Sequence, residues 1–153
     1  ATSAQAVTAL VTADRLRAVA VTLTHPRAAD LALTLVAPNG ARVLLASGRG
    51  GTTANYQQVS FDDAAATAIG GAAAPLAGGP YRPEQNLAAA GQGLALNGTW
   101  QLEVRDQATG QTGTLQSWTL TFDRPLNYQW TGPGGFSSTL ANPVATAPTA
   151  AGQ

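Results

Sequence analysis

The chain has 153 residues, enough for one domain with a real core and an appendage, and 44 % of them are hydrophobic. Only 10 % are charged, the formal net charge is zero, and all eight basic residues are Arg scattered along the chain. That balance argues against a nucleic-acid partner and against a polybasic membrane patch. Cys and Met are absent, so there is no disulfide and no thiolate metal site. No apolar run approaches the ~20 residues that span a bilayer.

The first residue is Ala, and the start Ala1-Thr2-Ser3-Ala4 suits either a chain left by signal-peptide cleavage or a domain excised from a longer protein. Ala4 to Leu10 is weakly patterned and reads as a short edge strand. Leu16 to His25 is a clearer strand. It sets Leu16, Ala18 and Ala20 against Val19, Val21 and Leu23, with Thr22 and Thr24 interleaved, and Pro26 ends it. Asp30 to Ala37 follows with Leu31, Leu33 and Leu35 on one face. Pro38-Asn39-Gly40 makes the turn, because Pro presets φ and Asn-Gly tolerates positive φ. Arg42 to Ala46 returns, which completes a hairpin.

Ser47 to Thr53 is a Gly-rich loop, but it lacks the strand–GxxxxGK[ST]–helix setting of a phosphate loop and the chain has no Lys. Tyr56 to Asp62 is a strand. Ala64 to Gly79 is Ala/Gly-rich and too broken by glycine for a helix, so it reads mostly as loop. Tyr81-Arg82-Pro83-Glu84 opens an extended segment, and Leu87 to Gln92 suits one short turn.

Asn97 to Phe122 carries the strongest pattern. Trp100, Leu102 and Val104 share one face, with Gln101, Glu103 and Arg105 opposite; Trp118, Leu120 and Phe122 share a face, with Thr119 and Thr121 opposite. Period-two alternation of this kind marks half-buried strands. The stretch reads as a β-hairpin joined by the polar loop Asp106 to Gly113, with Trp100 and Trp118 as core anchors. Short strands between Gly/Pro turns, without an amphipathic helix, predict an all-β sandwich or jelly roll.

Several motifs occur in a recognisable order: His25, Asp30-Leu31, Pro38-Asn39-Gly40, Arg49-Gly50-Gly51, Asn55, Phe61-Asp62-Asp63-Ala64, Tyr81-Arg82-Pro83-Glu84, Gly98-Thr99-Trp100, Asp106, Gly110, Gly113 and Leu115 to Trp118. From about Arg17 to Phe122 this order resembles the P domain of proprotein convertases, also called Homo B. The resemblance implies a galactose-binding-like β-jelly roll without catalytic residues. In convertases and bacterial subtilisin-like proteases that domain follows the catalytic domain and supports its folding or stability, and it often carries calcium. The position after Gly110 is often Asp in the family and is Gln111 here. The tail, Tyr128 to Thr139 and Asn142 to Thr146, resembles the middle of Ig-like or PKD-like repeats of bacterial surface adhesins. The resulting division is a P-domain-like jelly roll over 1–123 and a partial repeat or extended tail over 124–153.

A hydrolase triad needs a nucleophile, a base and an acid within reach of one another. The single His, His25, stands before Pro26 without a nucleophile motif beside it, so it reads as a side chain closing a loop. Asp62 and Asp63 are adjacent in a strand and point to opposite faces, which does not suit a glycosidase pair. Calcium takes six to eight oxygens, mixing carboxylates and carbonyls. Asp30, Asp62, Asp63 and Asp106 at strand–loop junctions are the candidate metal ligands, and Asx-turns at ordinary loop acids are the alternative. Glu103, beside Arg105, reads as solvated. Tyr128 and Trp130 suit docking on the jelly roll or a neighbouring domain, or else carbohydrate stacking.

Together these readings predict a non-catalytic extracellular interaction or assembly module of a modular secreted or cell-surface bacterial protein, calcium-stabilised. Its expected partners are neighbouring domains or subunits of the same protein, with self-association through the tail. The alternatives are the C-terminal stability domain of a subtilisin-like serine protease and a carbohydrate-binding module.

Overall fold

The computed structural model describes residues 1–8, 14–123, 130–132 and 136–138. Alternating sequences become strands wherever one face has apolar cover. Eight of them form the body: β1 (Thr2–Val7), β2 (Arg15–Thr24), β3 (Leu31–Val36), β4 (Arg42–Ser47), β5 (Tyr56–Asp62), β6 (Leu76–Ala77), β7 (Gly98–Asp106) and β8 (Thr114–Asp123). They lie in two four-stranded sheets, ordered β1-β7-β3-β4 and β6-β5-β2-β8. All pairings are antiparallel except β5 with β6. The result is an all-β sandwich with no α-helix among the described residues, only short 3-10 turns such as Leu87–Ala90.

Inward residues from both sheets fill the core: Val19, Val21 and Leu23 of β2, Leu33 and Leu35 of β3, Val59 and Phe61 of β5, Trp100 and Leu102 of β7, and Trp118 of β8. Trp100 is fully enclosed, donates its indole N–H to the Leu96 carbonyl at 2.9 Å, and meets Phe122 edge-on with ring centroids 5.8 Å apart. The core assignment of Trp100 and Trp118 therefore matches the structure.

Two expectations need correction. The stretch from Asn97 to Phe122 is not a hairpin. β7 pairs with β1 and β3, whereas β8 pairs with β2 in the other sheet. Both strands bury alternate residues in the same core from opposite sides, and a loop from Gln107 to Gly113 is long enough to cross between sheets, a step a two-residue turn forbids. The alternation along β2 also fails. The register with β8 shifts between Leu16 and Ala18, which leaves Arg17 as an extra residue. This bulge turns Leu16 inward together with Val19.

The β3–β4 hairpin forms as expected, with Ala37 N–H donating to Ala41 O at 2.8 Å and Gly40 at φ +84 in the turn. Beyond β8, Trp130–Gly132 (β9) pairs antiparallel with Phe136–Ser138 (β10). The readings of Tyr128 and of the Trp130 side chain, and most of the repeat-like stretch 124–153, lie outside the described residues.

Candidate functional site

Two strand ends meet at one end of the sandwich. β2 runs out into His25, and β7 ends at Asp106, which pairs in register with Leu31 at the start of β3. His25 is buried at 3 % exposure. Its Nδ1 lies 2.8 Å from the Arg27 carbonyl oxygen and 3.2 Å from the Arg27 N–H, and its Nε2 lies 3.2 Å from Asp106 Oδ2. The ring thus ties one sheet to the other. Asp106 Oδ1 accepts the Ala108 N–H at 3.0 Å. That bond first, and the His25 ring after it, hold the Asp106 carboxyl below the usual carboxylate range.

The crossing loop closes over this pair. A Cβ on Gly113 would fall 2.3 Å from Thr24 O and 2.8 Å from the His25 ring, so only glycine lets the backbone lie against the imidazole. Beside it is a cleft of about 240 Å³, walled by Leu23, Leu31, Val104 and Leu115 and rimmed by Thr112 and Thr114. Both nitrogens of His25 are engaged by Arg27 and Asp106. With neither ring nitrogen directed at a hydroxyl, the arrangement does not make a hydrolytic triad.

The four candidate metal ligands fall into two pairs. Asp30 and Asp106 share the His25 end, where Gln107 N–H donates to Asp30 O at 2.7 Å and the Asp30 carboxylate lies 3.6 Å from Arg27 Nε. Asp62 and Asp63 lie beside Ala18, seven residues back along the chain from His25 and so roughly 20 Å away at the rise of a strand. Asp62 Oδ1 accepts the Ala64 N–H at 2.8 Å and its Oδ2 pairs with Arg17 at 3.0 Å. Asp63 accepts the N–H groups of Leu87 at 2.7 Å and Ala88 at 3.0 Å, which anchors the 3-10 turn. Among the described residues no three His, Asp or Glu side chains come together to hold a metal. As a set, the four do not fit one calcium ion. At Asp62 and Asp106 the geometry is that of an Asx-turn.

The other acids have partners that the sequence did not announce. Glu103 forms a two-pronged pair with Arg42, one contact at 3.0 Å, where local reading left it solvated beside Arg105. Glu84 holds Arg49 at 2.8 Å. No local signal points to these partners, which lie 61 and 35 residues away. Inside the core, burial pushes the Tyr56 hydroxyl up to about 12, and its oxygen has no hydrogen-bond partner among the described residues.

These features define a β-sandwich module whose ionisable groups are used to fasten its own loops. The model of the proprotein convertase P-domain matches residues 17–122, and the chain belongs to that family. Two solved structures are similar to it: the serine protease of Aeromonas sobria, at 21 % identity, and the complex of that protease with its chaperone, at 22 %. Each match covers 80 % of this chain and 20 % of the other, with a TM-score of 0.41. The chain thus spans about a fifth of the length of the proteins it matches. No curated protein matches it.

Proposed function

We propose that this chain is a non-catalytic accessory module of a larger secreted or cell-surface protein, and that it works by docking on neighbouring domains or subunits and steadying them. Membership of the P-domain family over residues 17–122 is the observation that carries the reading. The site chemistry agrees with it, since His25 is engaged at both ring nitrogens and Asp62, Asp63 and Asp106 all serve as internal hydrogen-bond acceptors. A second reading, the stability domain of a subtilisin-like serine protease, rests on the same membership and differs only in the neighbour. The jelly-roll order of the strands and a repeat-like tail belong to the proposal as well.

The test is to express the full product of the encoding gene with and without this module. Removal should lower the melting temperature or the yield of the remainder. The isolated chain, added back, should perturb amide resonances on one contiguous face. A remainder of unchanged stability that never contacts the module would overturn the docking reading. Turnover of a peptide, ester or glycoside by the isolated chain, abolished by His25→Ala, would overturn the non-catalytic one.

A further inference from the structure

The sandwich has two open sides, and they are finished differently. Along β4 the free edge is covered. Ser47 and Leu44 donate their N–H groups to the Glu84 and Gln85 side chains at 2.9 and 2.8 Å, and the Leu45 and Leu44 carbonyls accept the Glu84 and Gln85 N–H groups at 3.1 and 3.0 Å. The inward residues beneath, Val43, Leu45 and Leu76, are fully buried.

Among the described residues the opposite side has no such cover. Ala1 and Val104 exchange two backbone bonds of 2.8 Å, and the register runs from Thr2 opposite Glu103 to Val7 opposite Gly98. In an antiparallel ladder this turns the backbone groups of Ser3, Gln5 and Val7 toward β7 and those of Thr2, Ala4 and Ala6 outward. Nothing among the described residues pairs with these three, and all three are exposed. Edge strands are ordinarily guarded by charge, Pro or a bulge. Thr2–Val7 holds no charged residue and no Pro, and its register is unbroken.

β8 completes this rim. Trp118 Nε1 donates to Ser3 Oγ at 3.0 Å, and Gln5 Nε2 donates to Trp118 O at 2.7 Å. Val7, Leu115, Leu120 and Phe122 on these two edge strands stay only partly buried, unlike their counterparts under β4.

We propose that the β1 edge is a self-association surface, on which β1 of a second copy of this chain pairs antiparallel about a two-fold axis through Ala4. That register sets Thr2 against the partner's Ala6 and Ala4 against the partner's Ala4. Every outward N–H and C=O then gains a partner. The edge is its own complement. Its outer-face side chains, Thr2, Ala4 and Ala6, are small enough to lie across the axis, and a chain of zero net charge brings no long-range repulsion. Two-fold pairing also consumes both edges and closes the assembly, whereas a head-to-tail arrangement would leave an edge to grow from.

Sedimentation velocity on the full chain, from ~1 μM to ~1 mM, reads the equilibrium directly across affinities of that range. A monomer–dimer equilibrium is expected. Ala4→Lys sets like charges opposite each other at the axis and should weaken it about fivefold. Ala4→Pro removes an N–H that points away from β7, so it should act similarly while sparing the β1–β7 ladder. Circular dichroism separates either effect from unfolding. The chain has no Cys, so Ala4→Cys should form a disulfide-linked dimer on oxidation and fix the register without relying on the other variants. A monomer at all concentrations, a dimer indifferent to Ala4→Lys, or open-ended polymers would each overturn the proposal.

Discussion

Trp100→Ala tests the account of the core most directly. Trp100 is fully enclosed, its indole N–H is held by Leu96 O at 2.9 Å, and its ring stands at 62° to Phe122. Truncation removes the largest fully buried side chain among the described residues and strips the Leu96 carbonyl of its donor. Loss of burial plus the residual cavity costs about 3–5 kcal/mol. For a domain of this size each kcal/mol lowers Tm by about 2–4 °C, so the expected fall is about 6–20 °C. Against a typical total stability of about 5–15 kcal/mol, the variant sits near the edge of folding. Urea unfolding followed by tryptophan fluorescence gives the midpoint and the slope together. Trp100→Phe separates the contributions, because it keeps a ring against Phe122 and loses the hydrogen bond. A Trp100→Ala protein within about 1 kcal/mol of the parent, with an unchanged slope, would refute the reasoning, since a collapse that complete is incompatible with a closely packed interior.

Tyr56→Phe should leave stability unchanged or raise it, because an unpartnered buried hydroxyl costs about 1–3 kcal/mol; a clear loss in chemical denaturation would show that the hydroxyl has a partner. Asp106 has a lowered carboxyl pKa, so its contribution is present above the unfolded value and is lost as pH falls through the folded one. Melting temperature should therefore decline in acid below the ordinary Asp range, and Asp106→Asn should flatten that decline; a parallel curve would count against it. If Asp30, Asp62, Asp63 and Asp106 held one calcium ion, saturation at ~100 times Kd would add about 2.7 kcal/mol. Their separation into two pairs predicts that no shift between excess calcium and EDTA will depend on both pairs at once, and a shift that Asp30→Asn and Asp62→Asn each abolished would overturn this geometric reading.

How much of the fold was legible follows from the range of the forces. Alternation in Thr99 to Val104 is a local consequence of one face meeting a core, so this strand could be placed from sequence. Pro38-Asn39-Gly40 has its own turn chemistry, so the β3–β4 hairpin could be placed as well. Whether β7 and β8 are partners is another matter. Both have one apolar face, and an apolar face says that a core exists without saying from which side it is approached. The bulge is no easier to place, because Arg15-Leu16-Arg17-Ala18 alternates regularly and only the pairing with β8 leaves Arg17 as the extra residue.

The site divides in the same way. Asp62 and Asp106 bond N–H groups two residues ahead, a habit of Asp in turns that needs only local geometry. The partners of His25 and Asp63 stand 81 and 24 residues away, across a sheet and across a loop. Acids at strand–loop junctions therefore look alike in sequence whether they wait for a cation or already hold backbone N–H groups. What separates them is the number of protein donors that arrive by long-range folding. At Asp63 two N–H groups reach the carboxylate, one to each oxygen, and hold the start of the 3-10 turn against the end of β5. Glu84 does the same for β4, one carboxylate fastening both Ser47 and Arg49. In a chain with so few charges, using its acids as clamps leaves the surface nearly neutral. Neutrality of that kind favours contact with another polypeptide over the long-range capture of a charged ligand.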